Sequence, residues 1–212
     1  MSSDIQKIFD FSTYVEAFKK VERFVGQYLW KDYPFPKRYE SNADHSWRMA
    51  MMLIVLEKKL SRPIDFKKAI TMALIHDIPE IIAGDPSPLG TDGTGSDSHA
   101  YNKKVAKAKF ERERKAAQEI FAKLPSEQGK ELMNLWLEFE EQSSFESKIV
   151  KALDKMEGKL QVLEYTNGTM FKAHLDFTMT YGTDTFDADP GVKELGDILL
   201  STIKEKYKEF KK

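Results

Sequence analysis

The sequence predicts an all-α protein. Apolar residues recur at three- and four-residue steps along most of the 212 residues, which is the period of one buried helix face. No convincing set of alternating apolar and polar residues predicts a sheet, although residues 169–186 could hold a short extended piece. Prolines, glycines and capping residues divide the periodic segments into separate helices.

The first two predicted helices are separated by a proline-containing segment, residues 31–39. The first helix follows an apolar stripe over residues 11–28. The second begins near Asn42, with Asn42 or Asp44 as its N-cap, and carries an apolar run to about Leu60.

A third helix is predicted over about residues 65–76. Pro79 ends it and begins a short helix, because proline disfavours the helical region for the residue before it and suits a first turn. Residues 84–98 are loop by composition. Ser143 and Glu146 have the spacing of a capping box. The remaining predicted helices cover about residues 101–123, 127–141, 143–165 and 192–207.

The composition is that of a soluble globular protein, with 41% apolar and 32% charged residues. A formal net charge of -1 gives no general attraction to nucleic acid or to an anionic membrane. The absence of cysteine excludes disulfides, zinc fingers and a cysteine nucleophile. The N-terminus lacks signal-peptide features, and the apolar run at residues 49–56 is shorter than the roughly 20 residues of a membrane helix. We therefore expect a cytoplasmic protein without a nucleic acid polymer or membrane as partner.

Residues 73–85, ALIHDIPEIIAGD, place four ionisable side chains in an apolar segment. A buried charge requires a pairing partner, a metal or a cleft. His76 and Asp77 are a mixed nitrogen and oxygen donor pair, which suits a borderline divalent metal. Two ligands are too few for a tight site, so further donors are needed.

Two other residues could complete such a site. His45 lies in the first turns of the second predicted helix and shares a face with Met49, while Asp154 lies in a later helix. Each candidate also has a structural alternative. His45 and His76 could be core histidines with hydrogen-bond partners, Asp77 could be a helix N-cap, and Asp154 could be a solvated acid.

The order H…HD…D resembles the HD-domain metal-dependent phosphohydrolases. NADHSWRMA resembles that family's E-x-x-x-H-S segment, and ALIHDIPEIIAGD is similar to the HD-x-x-E-x-x-x-x-D segment of its 5′-deoxynucleotidase branch. LWLEFEEQSSFESKIVKALDKME resembles that branch's W-x-E-[FY]-E…S-x-E-[AS]-K-x-V-x-x-L-D-K segment. The resemblance covers roughly residues 38–165. It implies an HD-domain helical bundle, which we expect to form one domain over residues 1–212.

The resemblance also implies a ligand set. By this resemblance one divalent metal is ligated by His45, His76, Asp77 and Asp154. Two imidazoles and two carboxylates suit manganese, iron, cobalt, nickel or zinc, whereas magnesium is less natural with two nitrogen donors. Glu80 and Asp85 match the acidic pair that follows the His-Asp motif. We expect Glu80 to orient or deprotonate the attacking water, and Asp85 to approach the leaving 5′-oxygen or the sugar. Glu80 could instead only favour the dipole of a short helix.

Arg38 matches a basic position of the family pattern and is a candidate for binding the phosphate, although it could instead pair with Glu40 on the surface. The family's more N-terminal arginine, which is followed by tryptophan, has no clear counterpart. Trp30 and Lys31 lie in that neighbourhood and could replace it. Residues 84–98 could be a mobile flap beside the site, or a disordered loop without function.

The predicted function is that of a metal-dependent phosphomonoesterase acting on a small-molecule nucleotide, a deoxynucleoside 5′-monophosphate. One alternative keeps the fold and metal but changes the substrate to a ribonucleotide, a nucleoside triphosphate or a cyclic dinucleotide. Another is a metal-binding or nucleotide-binding module without turnover. A homodimer is expected, because members of the family commonly dimerise and aromatic residues of the terminal helices could supply an interface.

Overall fold

A computed structural model describes residues 3–23, 39–164 and 171–208 of the chain. In this part the protein contains α-helices, short 3-10 helices and one isolated backbone bridge, but no strand. None of these helices combines the length and the apolar character needed to cross a membrane. The α-helices are α1 (Asp4–Tyr14), α2 (Asn42–Leu56), α3 (Phe66–Ile75), α4 (Glu80–Ala83), α5 (Lys103–Phe121), α6 (Ser126–Glu141), α7 (Phe145–Glu164), α8 (Lys172–Thr180) and α9 (Pro190–Lys206). The predicted all-α class is confirmed.

Helix α7 runs through the larger hydrophobic core and packs against α2, α3 and α9. Its residues Ile149, Val150, Leu153 and Met156 are fully buried, since their spacing places them on one side of the helix. Ile203 of α9 is fully buried in the same core. Because α2, α3 and α7 meet here, polar residues on the three helices can reach a common point.

A second apolar cluster joins α5 and α6 to the end of α3. Trp136 and Phe121 are its largest fully buried side chains. The indole Nε1 of Trp136 donates a hydrogen bond to the carbonyl of His76 at 3.0 Å. Because carbonyls at the end of a helix need partners from elsewhere, this bond both satisfies the backbone and fixes the chain at His76.

Ser41 is the N-cap of α2. Its hydroxyl accepts a hydrogen bond from the Asp44 amide at 3.2 Å, and the Asp44 carboxylate accepts one from the Ser41 amide at 2.9 Å. This reciprocal pair is a capping box. The prediction of Asn42 or Asp44 as the N-cap is therefore wrong, and the cap lies one residue before Asn42. Asp44 lies in the first turn and completes the capping box.

The cap of α7 also differs by one residue from the prediction at Ser143 and Glu146. The Ser144 hydroxyl accepts from the Ser147 amide at 3.1 Å, and the Ser147 hydroxyl accepts from the Ser144 amide at 3.0 Å. The Glu146 carboxylate instead accepts from the amide of Asp65 at 3.0 Å. Glu146 is thus turned toward the start of α3 and away from its own helix terminus.

The N-terminal helix is shorter than predicted. A 3-10 helix over residues 15–20 follows α1, and the chain is extended at Val21. The Arg23 amide donates to the Glu40 carbonyl at 2.8 Å, and the Asn42 amide donates to the Val21 carbonyl at 3.0 Å. These bonds to the chain ahead of α2 replace helical bonds, so the apolar stripe does not form one continuous helix. Its remainder lies outside the described residues.

The expectation of an extended piece within residues 169–186 is wrong for the described residues. They form α8 and a 3-10 helix over residues 183–188. Gly182 joins the two with a φ of 69°, a left-handed conformation that glycine adopts readily. A Cβ at Gly182 would lie 2.7 Å from Lys155 Cγ, so the absence of a side chain lets this turn approach α7 closely.

We predict that Ile203→Ala lowers the free energy of unfolding by about 2–5 kcal/mol, since it leaves a cavity in the core. Ile198→Ala, on the same helix, is the matched control because Ile198 is 59% exposed. It should change stability by less than about 0.5 kcal/mol. Urea denaturation measures both, and equal losses would contradict the packing of α9 described above.

Candidate metal centre and cavity

His45 is fully buried near the start of α2. Its Nδ1 contacts a carboxylate oxygen of Glu157, a fully buried residue of α7. The other carboxylate oxygen of Glu157 accepts a hydrogen bond from Arg48 Nε at 2.8 Å. A carboxylate at Nδ1 favours the tautomer that carries hydrogen on that nitrogen, which leaves the Nε2 lone pair available to a ligand.

His76 and Asp77 lie where α3 ends. The His76 Nδ1 is 3.1 Å from the Ala73 carbonyl, so it donates a hydrogen bond there and leaves Nε2 unprotonated in the neutral ring. The Asp77 Oδ2 lies 3.2 Å from His76 Nε2 and 3.1 Å from Arg23 Nη1. Asp77 therefore directs its carboxylate at these cationic and imidazole groups. The alternative of a helix N-cap does not describe it, since α4 has no side-chain cap.

Asp154 reaches the same point from α7. Its Oδ1 lies 3.5 Å from His45 Nε2, and Asp77 Oδ2 lies 3.8 Å from that nitrogen. Candidate ligand atoms of His45, His76 and Asp154 all lie within 4.8 Å of one another. The Asp154 side chain is 11% exposed, which excludes the alternative of a solvated surface acid. The structure thus brings the four predicted metal ligands together.

Two buried nitrogens in this cluster, His45 Nε2 and His76 Nε2, lack a hydrogen-bonding partner of suitable geometry among the described residues. Buried polar atoms in proteins nearly always have a partner. In both rings the Nδ1 atom has one, so the two Nε2 lone pairs are free to face a cation. Together with two carboxylates they form a donor set that suits a divalent metal, and the residues fit such an ion.

Glu80, the first residue of α4, is buried beside this cluster. The side-chain amide of Asn42 donates to Glu80 Oε2 at 2.5 Å, and Lys109 Nζ lies 3.4 Å from Glu80 Oε1. Burial, followed by the nearby charges of Asp77 and Asp85, raises the pKa of Glu80 well above its ordinary value. A carboxylate with a raised pKa is better suited to accept a proton near neutral pH.

Asp85 and the loop that follows it border the same cavity. Asp85 comes directly after Gly84, which ends α4 with a φ of 73°. Asp85, Pro88 and His99 all line the cavity. Within the loop, the Ser98 hydroxyl donates to the Gly95 carbonyl at 3.1 Å. The loop therefore lies beside the site, as expected, and contains internal hydrogen bonds.

The cavity in front of the cluster has a volume of about 330 Å³. That volume is within the range of small-ligand sites. Beside the acidic residues, its basic lining comprises Arg23, Lys109, Lys151 and Lys155. A cavity that combines candidate metal ligands with fixed positive charges can hold an anionic group next to a metal ion.

Four contributors to this site that the sequence did not indicate are Arg23, Asn42, Lys109 and Glu157. Arg23 is 8% exposed and pairs with Asp77. No local signal in the sequence indicates Arg23, because its partner Asp77 lies 54 residues later in the chain. Glu157 lies one helical turn after Asp154, a spacing that places both on a shared face.

Three of the predicted substrate-binding residues belong to the segment that precedes Tyr39. The residues concerned, which lie outside the described part of the chain, are Arg38, Trp30 and Lys31. Glu40, the alternative partner for the predicted phosphate-binding arginine, is paired with Arg23 Nε at 3.2 Å and with Arg48 Nη2 at 3.2 Å.

Comparison with known proteins identifies similar chains. Residues 30–195 match the model of a family described as HD domain. The chain is 38% identical over 131 residues to 5′-deoxynucleotidase HDDC2 of Dictyostelium discoideum, covering 59% of this chain and 63% of that protein. It thus spans less than two thirds of that relative. It is 34% identical over 165 residues to 5′-deoxynucleotidase HDDC2 of Xenopus laevis, covering 77% of this chain and 72% of that protein.

A solved structure has a similar fold over nearly the full length. It is the crystal structure of a protein from Magnetospirillum magnetotacticum MS-1, described as a predicted metal-dependent phosphohydrolase. The two chains superpose with a TM-score of 0.71 and 26% sequence identity, covering 95% of this chain and 96% of the other. The predicted HD-type helical bundle is confirmed by this similarity.

We predict that Glu157→Gln weakens binding of a divalent metal by about 10- to 100-fold, the usual effect of losing a carboxylate behind a histidine ligand. Competition with a chromogenic chelator measures the affinity. Glu164→Gln is the matched control, since Glu164 pairs with Arg48 Nη1 at 2.6 Å but is 42% exposed. Unchanged affinity in Glu157→Gln would contradict a role for His45 as a metal ligand.

Proposed function

This chain belongs to the HD domain family, and we propose that it is a metal-dependent 5′-deoxynucleotidase that releases phosphate from deoxynucleoside 5′-monophosphates. The observation that carries the proposal is the convergence of His45, His76 and Asp154 from three helices. Within the described residues, the Nε2 atoms of both imidazoles have carboxylates nearby but no hydrogen bond of suitable geometry, and the buried Glu80 lies beside them. The relatives named 5′-deoxynucleotidase support the choice of substrate.

One divalent metal ion is the proposed cofactor. The proposed ligands are His45, His76, Asp77 and Asp154. The donor set favours manganese, iron, cobalt, nickel or zinc over magnesium. When bound, such an ion lowers the pKa of a coordinated water and polarises a phosphoryl oxygen, which addresses the poor reactivity of water toward an anionic phosphate ester.

Glu80 is proposed to accept the proton of the attacking water. Its two carboxylate oxygens are held by different partners, Asn42 and Lys109, which restrict its rotation. A base that is fixed in direction loses little entropy when the substrate arrives. Its raised pKa supports proton transfer in this role.

Substrate contacts are proposed for four further residues. Asp85 borders the cavity and is assigned to the leaving 5′-oxygen or the sugar. Arg38 is assigned to the phosphate or its surroundings, and Trp30 and Lys31 to the position that the family gives to an arginine and a tryptophan.

The proposal also covers the organisation of the protein. Residues 1–212 are proposed to form one domain, since α2, α3, α7 and α9 share one core. A cytoplasmic location is also proposed, and the absence of cysteine is compatible with its reducing environment. A homodimer is proposed because Ile5 and Phe9 of the N-terminal helix are 75% and 62% exposed. Sedimentation velocity should give twice the mass of the chain, and a monomer at micromolar concentration would remove this part of the proposal.

We predict that the protein, stripped of metal by a chelator and reloaded with single ions, releases phosphate from deoxynucleoside 5′-monophosphates. Manganese, cobalt, iron, nickel and zinc should restore more activity than magnesium. The panel should include ribonucleoside monophosphates, nucleoside triphosphates and cyclic dinucleotides, with released phosphate as the readout. Metal-loaded protein that is inactive on the whole panel would favour a binding module and contradict the enzyme.

Glu80→Gln is the matched variant for this experiment. It keeps the shape of the side chain and removes the base, so turnover should fall by about 10²- to 10⁴-fold. Bound metal, measured by elemental analysis, should stay at the level of the unmodified protein. Near-normal turnover with full metal content would remove Glu80 from the mechanism.

A further inference from the structure

Two lysines of α7, Lys151 and Lys155, flank Asp154 and line the cavity. Their ammonium groups approach the same carboxylate oxygen, Asp154 Oδ2, at 3.6 Å and 3.1 Å. Each lysine side chain is 19% exposed. The two positive charges are therefore largely shielded from bulk water but accessible from the cavity.

Aromatic rings hold both ammonium groups in place. Lys151 Nζ lies 4.4 Å from the ring centroid of Phe139, and Lys155 Nζ lies 5.1 Å from that of Tyr181. These distances are within the range of cation–π interactions. A lysine that is held before a ligand arrives loses less side-chain entropy on binding.

His99, which also lines the cavity, is exposed to the same positive charge. Burial is the main cause that lowers the pKa of His99 to about 3, and Lys109, Lys155 and Lys151 lower it further. Its imidazole is therefore neutral at neutral pH, and the positive charge in this part of the cavity comes from the lysines. Lysines of two helices, α5 and α7, thus face one part of the cavity.

Lys109 differs from the other two lysines because carboxylates already neutralise it. Its Nζ lies 3.4 Å from Glu80 Oε1 and contacts a carboxylate oxygen of Glu113. Lys151 and Lys155 instead share one oxygen of Asp154, whose Oδ1 faces His45 Nε2 at 3.5 Å. If Asp154 ligates a metal, its negative charge is shared with that ion, and the pair of lysines retains positive charge for another anion.

We propose that Lys151 and Lys155 bind the phosphoryl oxygens of the substrate monoester and, after hydrolysis, those of inorganic phosphate. The inference rests on the proposed function, which supplies the phosphate ester. Lysine is a common phosphate ligand that acts as a point charge. The position of both residues beside Asp154 places the bound anion next to the metal ligands, where hydrolysis requires it.

The pair also determines the class of substrate. A phosphate monoester is close to a dianion at neutral pH, since its second pKa is about 6. A phosphodiester carries only one negative charge. The two positive charges of the shielded ammonium groups are therefore balanced by the two negative charges of a monoester, whereas a diester would leave one of them unbalanced. This site accordingly selects terminal phosphate groups over internal ones.

The test measures inorganic phosphate binding to the full-length, metal-loaded protein by isothermal titration calorimetry. Lys151→Met and Lys155→Met should each raise the Kd for phosphate by about 10- to 100-fold, the effect of losing a hydrogen bond to a charged group. KM for a deoxynucleoside monophosphate should rise in parallel. kcat should change less, because the lysines contact the phosphoryl group before and during reaction.

Two control variants and two further measurements distinguish failure of this inference from failure of the proposed function or of folding. Lys148→Met, an exposed position on α7, is the matched control and should bind phosphate normally. Lys155→Arg keeps the charge and should recover most of the affinity. Bound metal and thermal unfolding are determined for every variant, and binding is compared at saturating metal. Unchanged phosphate affinity in both methionine variants overturns the inference, whether or not the protein hydrolyses nucleotides.

Discussion

The contact between His45 and Glu157 is the interaction on which the site depends. Both side chains are fully buried, one on α2 and the other on α7. A buried charge without a partner destabilises a protein by several kcal/mol, so the Glu157 carboxylate needs the contact with His45 as well as its ion pair with Arg48. The same contact determines which imidazole nitrogen faces Asp154, so the stability of the core and the direction of a candidate metal ligand have one physical origin.

Ion pairs continue from this contact in a closed circuit. Glu157 pairs with Arg48 at 2.8 Å, Arg48 with Glu40 at 3.2 Å, and Glu40 with Arg23 at 3.2 Å. Arg23 then pairs with Asp77 at 3.1 Å, and Asp77 lies 3.8 Å from His45. Acidic and basic groups alternate, so each buried charge has an opposite neighbour on two sides. The circuit joins the segment before α2 to α3 and α7, and removing one member leaves its neighbours buried and uncompensated.

The helices were predictable because periodicity and capping are local properties of the sequence. Ser144 was missed as the cap of α7 because neighbouring serines offer the same chemistry, and only the turn of Glu146 toward α3 decides between them. The candidate ligands were predicted from a resemblance that preserves residue types and order. Arg23 and Glu157 were missed because their roles depend on which helices meet, and no local pattern of apolar residues records that information.

The rotation of helix α7 about its own axis determines the direction of the polar side chains that it contributes to the site. Successive residues of a helix are about 100° apart around its axis. Burial of Ile149, Leu153 and Met156 fixes that rotation against α2, α3 and α9. With the apolar face fixed, Asp154 is directed at His45, and its lysine neighbours are directed into the cavity beside it. A shift of one residue in the core contacts would turn the carboxylate away from the imidazoles, so the site cannot change its geometry without repacking the core that carries it.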